Sequence, residues 1–280
     1  MKLAKLLEFS PRATRQLYSA RDAMLYALGV GASDRSGEIA YVYEAALRVL
    51  PTMAVVIATP GFWLDEAEFE IDWRSVLHIG QALSLHRDLP PEGDVTSKLT
   101  VEAVYDKAGK GTMLHTRREL SDTHSGEAIA DLRQTYLLRG DRDSGAMPAP
   151  RTAPSPIPDR PGDERVTLPT SPDQALLYRL SGDFNPLHVD PKVASAAGFS
   201  RPILHGLCTY GVAGRAVLQS IVRRTGSSLS RFDTRFASPV YPGETLRTDI
   251  WWQDGGSGFF RTHAVEREIV VLDQGYFECR

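Results

Sequence analysis

The segment from Tyr178 to Gly211, YRLSGDFNPLHVDPKVASAAGFSRPILHGLCTYG, concentrates residues that can move protons. It puts Asp183, Asn185, His188 and Asp190 on one irregular stretch, and the Asn185-Pro186 turn can fold that stretch back until a carboxylate and an imidazole share one water molecule. Downstream, His205-Gly206 opens a helical pattern whose first unpaired N–H groups and positive dipole end favour an anionic oxygen. An acid/base pair beside an oxyanion donor is what enolate chemistry next to a thioester requires. An Asp five residues before a His is, taken alone, better explained by capping and loop stabilisation, so the weight rests on the whole segment.

The elements that must position these groups are marked by local signals. Ser171-Pro172-Asp173-Gln174 predicts a helix start, with Ser171 as N-cap, Pro172 at the first helical position and Gln174 closing a capping box; Gly182 ends that helix in a left-handed conformation. Asp190-Pro191 predicts a second start and Gly198 its stop. From about Gly206 to Arg224, Leu207, Tyr210, Gly214, Val217, Leu218 and Ile221 recur at three and four residues. Gly206, Gly211, Ala213, Gly214 and Ala216 leave that helix thin, so another element can pack closely on it. Strand-like runs follow over 231–240, 244–252, 259–266 and 268–272, with Tyr241-Pro242-Gly243, Asp254-Gly255-Gly256 and Asp273-Gln274-Gly275 as turns. A long helix followed by an antiparallel meander predicts a curved sheet wrapped around that helix.

The first part of the chain has a similar order with weaker signals. Arg21 to Leu28 reads as a helix ended by Gly29 and Gly31, Ala54 to Thr59 is β-branched and apolar, and strand-like runs occupy 75–85, 94–105, 112–120 and 129–138. Between Gly140 and Gly162 the sequence turns to Pro, Gly, Ser and Ala without apolar period, which predicts a linker at 141–162 between a domain at 1–140 and another at 163–280.

Composition bounds the function classes. The 280 residues carry a net charge of −3, which supplies no broad basic field for nucleic acid or an anionic membrane. The two cysteines, Cys208 and Cys279, have neither C-x-x-C nor zinc-ligand spacing. No apolar run approaches the roughly twenty residues of a membrane span. Met1 to Ser10 lacks the features of a signal peptide, and Glu278-Cys279-Arg280 is not a peroxisomal Ser-Lys-Leu address, so a cytoplasmic location is expected.

The Tyr178–Gly211 segment resembles the hydratase 2 motif of the MaoC-like (R)-specific enoyl-CoA hydratases and 3-hydroxyacyl-thioester dehydratases. That motif reads Y-R-L-S-G-D-x-N-P-L-H-x-D-P, a short spacer, then F-x-x-P-I-L-H-G-L, and every fixed position is met. Arg21 to Ala32, Tyr43-Glu44, Leu50 to Val56 and His78 to Pro90 are similar to the family's N-terminal half. The resemblance implies an α+β double hot-dog, two sheets each wrapped round a helix and packed as a pseudo-dimer. The second half is then catalytic, and the first half has lost its own site and makes room for a bulky acyl chain; no D-x-N-P-x-H string occurs in 1–140.

Carried over by position, the resemblance makes Asp183 and His188 the water-activating pair, Gly206 N–H the donor to the thioester oxygen, and Asn185 a holder of the water or the loop. Tyr178, Asp190, His205, Tyr26 and Glu44 match positions important in the family, where direct and supporting roles both stay open; Asp163 also matches, at the linker's end. The implied reaction is hydration of trans-2-enoyl-CoA to (3R)-hydroxyacyl-CoA and its reverse, by a hydro-lyase that needs no cofactor and no metal. An acyl-CoA thioester is the implied partner, or an acyl-carrier-protein thioester in a dehydratase of lipid synthesis, and a homodimer the implied assembly.

Rival readings belong to other classes. A thioesterase could use Cys208, although a cysteine on a thin helix without an adjacent base reads as an apolar filler. Asp183, His188, Asp190 and His205 are all of metal-ligating type. A non-catalytic thioester-binding protein is the third alternative. Acyl length, thioester bearer and direction of reaction are not written in the sequence.

Overall fold

The computed structural model describes every residue except 34–36, 108, 142–144 and 149–156, so much of the expected linker lies outside the described residues. Helix α1 (Leu3–Leu7), strand β1 (Arg12–Tyr18) and helix α2 (Ala20–Gly29) come first. A run of short 3-10 turns, including Pro51–Val55, leads to β2 (Val76–Leu85), β3 (Gly93–Asp106), β4 (Thr112–Asp122) and β5 (Ala128–Leu138). Beyond the two-residue β6 (Met147–Pro148) lie β7 (Glu164–Pro169), α3 (Gln174–Tyr178), α4 (Pro191–Ala196), α5 (Gly206–Thr225), β8 (Leu229–Phe236), β9 (Thr245–Gln253), β10 (Ser257–Ala264) and β11 (Ile269–Cys279).

Ten strands form one sheet in the order β1-β3-β4-β5-β2-β8-β11-β10-β9-β7, with β6 paired beside β3. Numbered within its own half, each side reads first, third, fourth, fifth, second, and the halves join through their second strands. That junction is antiparallel, from Gly80 opposite Arg235 to Ser84 opposite Arg231. The architecture is the expected α+β double hot-dog. The halves differ in their helices: α5 fills the second sheet, whereas Pro51–Val55, a five-residue 3-10 segment, packs on β2 and β5 and on α5.

Helix α5 can lie deep because glycines remove its side chains where neighbours cross. A Cβ on Gly211 would sit 2.5 Å from Val30 Cγ1 and 2.9 Å from the Tyr26 hydroxyl, and one on Gly214 would sit 2.6 Å from Thr52 Cγ2. The helix ends at Gly226, whose φ of +68° suits a residue without Cβ. Around it a core cluster runs from Tyr18 to Phe277; a second, smaller cluster packs Leu6, Trp63, Phe69, Leu114 and Leu138 at the far end of the first half.

Several local expectations are corrected. Helix α3 begins at Gln174 with Asp173 as N-cap, and only half of the predicted box forms, Ser171 N–H donating to Gln174 Oε1 at 3.1 Å. The Gln174 amide instead donates to the carbonyls of Leu28 and Gly29, which pins α3 to the end of α2. Asp273-Gln274-Gly275 is no turn but a bulge inside β11, where the register to β8 slips between Asp273 and Tyr276 and Gln274 has φ +55°. Gly275 permits it by lying against the Phe260 backbone and ring, where no side chain fits. Strands β1 and β7 carry too little apolar alternation to have been anticipated. Arg215, a charged residue on α5, is 2% exposed. Among the described helices none is long and apolar enough to cross a membrane.

Candidate active site

The 3-10 turn Arg179–Ser181 stops at Gly182, whose φ of +113° turns the chain sharply into Asp183. Asp183 Oδ1 accepts the Asn185 N–H at 3.1 Å, and Asn185 Oδ1 accepts the Leu187 N–H at 3.0 Å, so two successive Asx turns wind the loop into the 3-10 turn Pro186–His188. Asp190 caps α4 by accepting the Lys192 N–H at 2.8 Å. Asn185 and Asp190 therefore build the loop, and the Asn185 side-chain NH2 has no hydrogen-bond acceptor among the described residues.

His188 is buried, and its Nδ1 lies 2.8 Å from the Ile203 carbonyl. A carbonyl only accepts, so Nδ1 carries the proton and Nε2 presents the lone pair. The His205 ring stacks on His188 with centroids 3.7 Å apart, and its Nε2 donates to the Asp183 carbonyl at 3.1 Å. Tyr178 packs on His205 and faces Tyr26 across the seam of the two halves, with ring centroids at 5.0 and 6.2 Å. Burial depresses the imidazole pKa of His188, and that of His205 falls to about 4. Burial likewise raises the Tyr178 phenol far above its usual range.

One ligand-type atom each from Asp183, His188 and His205 lies within 4.8 Å of the others. A single water making two hydrogen bonds of about 2.8 Å spans such a gap. The His188 and His205 rings lie 28° from parallel, and His205 Nε2 is engaged with the Asp183 carbonyl. Gly206 follows His205 directly, is exposed, and its N–H has no acceptor among the described residues. A carbonyl oxygen placed there would meet both this N–H and the positive end of a twenty-residue helix.

The remaining expectations divide. Tyr26 and Tyr178 are buried beside the loop, whereas Glu44 is exposed on a 3-10 turn and bonds to none of these groups. Asp163 accepts the Trp252 N–H at 2.8 Å and pairs with Arg160, which makes it a strand-edge brace. Cys208 is fully buried, its thiol directed to the Gly29 carbonyl at 3.4 Å, and burial raises its pKa well above that of a reactive thiol. Sequence reasoning passed over His78, Tyr136 and Phe236. The strand register gathers them on the inner face under Gly206, and nothing in their spacing signals it.

A fold with one such loop on a hot-dog helix defines a hydro-lyase scaffold, and comparison with known proteins agrees. The description MaoC like domain matches residues 154–274, and MFE-2 hydratase 2 N-terminal domain matches 17–140. The chain belongs to the MaoC-like hydratase 2 family. It is 41% identical to the 3-hydroxyacyl-thioester dehydratase Y of Mycobacterium tuberculosis, covering 93% of this chain and 92% of that one. It is 36% identical to the peroxisomal enoyl-CoA hydratase 2 of Arabidopsis thaliana, covering 95% and 92%. The crystal structure of a MaoC-like dehydratase from Phytophthora capsici superposes with a TM-score of 0.87 at 32% identity, covering 100% and 99%. The protein is accordingly an enzyme of the hydro-lyase class.

Proposed function

We propose that this enzyme hydrates trans-2-enoyl-CoA to (3R)-3-hydroxyacyl-CoA and catalyses the reverse dehydration. The observation that carries the reading is the convergence of Asp183 and His188 within one water's span beside the free Gly206 N–H. Neutral His188, its tautomer held by Ile203, accepts a proton from water through Nε2 while Asp183 holds the same water. The oxygen of that water bonds to C3, electron density moves to the thioester oxygen, and Gly206 N–H meets the charge. The proton taken from the water is then returned by the Asp183–His188 pair to C2, on the face that received the oxygen, so both groups regain their starting state and water is added without net oxidation or reduction. The two groups act as a pair and exchange roles with the direction of reaction.

We read residues 1–140 as the half that shapes the acyl pocket, 163–280 as the catalytic half, and 141–162 as their link. A cleft of about 150 Å³ opens at the seam, lined by Gln16, Asp22, Tyr26, Met53, Leu180 and Gly182, the last directly before Asp183 in the chain. The relative named as a thioester dehydratase leaves the thioester bearer open, and parallel assays on coenzyme A and acyl-carrier-protein substrates decide it.

Asp183→Asn and His188→Ala are each expected to lower turnover by about 10² to 10⁴, the usual worth of acid/base catalysis, with the fold retained. Loss of the enoyl absorbance measures the rate, and chiral separation of the product reads the stereochemistry. Undiminished hydration by either folded variant rejects the assignment, and an S product rejects the facial geometry.

A further inference from the structure

The strand register sorts the concave face of the first half into cross-strand rows. Below Gly206 lies Phe236, whose ring a Cβ on Gly206 would meet at 3.4 Å. The His78 ring lies 5.0 Å from Phe236 and 5.0 Å from Tyr136, its register partner on β5. The next row is polar throughout: Thr234, Gln81, Gln134 and Thr116 stand opposite one another across β8, β2, β5 and β4. On one side of this band Leu114 and Leu138 belong to the small core cluster, and on the other Leu83, Leu132 and Leu120 belong to the main one.

A polar band between two apolar clusters needs an account. Part of it is structural: Arg118 donates to the carbonyls of Val55 and Ile57, and Ser97 to that of Ala58, which satisfies the non-helical chain lying on this face. Thr234 Oγ1 donates to the Asp273 carbonyl at the β11 bulge. The rest is unmet. His78 Nε2 donates to the Gly80 carbonyl at 2.9 Å, so Nδ1 offers a lone pair that no described residue engages. The Tyr136 hydroxyl has no hydrogen-bond partner among the described residues, and Gln81 Oε1 is buried without one. His78 and Tyr136 are half-buried although their strand positions face inward. The contacts from Gly206 through Phe236 to His78 and Tyr136 place both rings beside the reacting centre, and the Asp183 charge acts on both, although burial is the larger influence on each.

We propose that His78 and Tyr136 form an acyl-chain subsite that recognises a hydroxyl group carried on the chain beyond the reacting carbons. This rests on the enoyl-thioester reading of the site. A hydroxyl donates to His78 Nδ1 and accepts from the Tyr136 phenol, satisfying both groups at once. A carboxylate has no proton for His78, and a plain methylene leaves both groups unpaired. Gln81 Oε1 supplies a further acceptor on the same strand face. The substrate class is thus enoyl thioesters with an additional hydroxyl on the acyl chain.

The test compares kcat/KM of the wild type for an unsubstituted enoyl-CoA and for chains of equal length whose hydroxyl is moved one carbon at a time, then repeats the series with Tyr136→Phe. The expected result is a preference for the hydroxylated chain at one position of the hydroxyl. Tyr136→Phe, which keeps the tilted ring contact with His78, is expected to cut that preference about tenfold, the worth of one buried hydrogen bond. The subsite is overturned if no hydroxyl position outperforms the unsubstituted chain, or if Tyr136→Phe scales both substrates alike. Failure of the wild type to hydrate any of the chains instead overturns the reaction itself, and the subsite with it.

Discussion

His188 can take a proton only while it is neutral, and its surroundings enforce neutrality. Burial is the largest influence and lowers its pKa; the Ile203 carbonyl and the Asp183 charge oppose the shift without cancelling it. Its stacked neighbour His205, at about 4, stays uncharged through the neutral range, so no second positive charge arises beside it there. The sign follows directly. The active neutral form persists above the lowered pKa and is lost as pH falls through it. The acid limb of kcat/KM, which reports the free enzyme, is therefore expected below the ordinary histidine value of about 6.5. A pH–rate profile of the wild type measures it, and an acid limb at or above 6.5 contradicts the neutral-base role.

At the scale of elements the loop of the candidate site depends on where α5 lies, and that depth is set by its glycines. Gly211→Ala adds a methyl group that would stand 2.5 Å from Val30 Cγ1, inside a core where Val30 is fully buried. Alanine recovers about 1 kcal/mol of helix propensity, while overpacking costs about 1–3 kcal/mol. The difference is a net loss of about 0–2 kcal/mol, and because two atoms would lie closer than 3.0 Å the upper end, about 2 kcal/mol, is expected in chemical denaturation; an unchanged midpoint shows that α5 has room to shift.

The thin helix was legible because its period and its small residues point the same way. The α4 start at Asp190-Pro191 and the Gly182 and Gly198 stops were legible because a cap or a positive φ depends on the local residue. The β11 bulge was not, since Asp-Gln-Gly reads as a turn until Phe260 on the neighbouring strand takes the space a side chain would need. The Asp183–His188 pair was legible as a motif. His78 and Tyr136 were not, because 58 residues separate them and only the register of β2 on β5 makes them neighbours. A trace of the repeat did stand in the sequence: Leu25-Tyr26-Ala27-Leu28 and Leu177-Tyr178-Arg179-Leu180 each precede a glycine stop, and their tyrosines face each other in the fold.

Across the whole molecule, the two halves share a strand order, and α5 must be held against a first half that has no long helix of its own among the described residues. Besides the β2–β8 junction, a buried ion pair does this. Arg215, on α5, forks onto both carboxylate oxygens of Glu38 and donates to the Val30 carbonyl at 2.7 Å, with both side chains nearly inaccessible. Such a pair adds little over an apolar replacement, because desolvation offsets attraction, but removing one member strands a buried charge. Arg215→Met is thus expected to cost about 3–5 kcal/mol, whereas Arg215→Met with Glu38→Leu recovers most of that loss. Equilibrium unfolding of the two single variants and the double variant completes the cycle. If the double variant is as unstable as the sum of the singles, Arg215 and Glu38 are not coupled, and the halves are held by their other contacts: strand pairing, apolar packing and the Gln174 hydrogen bonds to the end of α2.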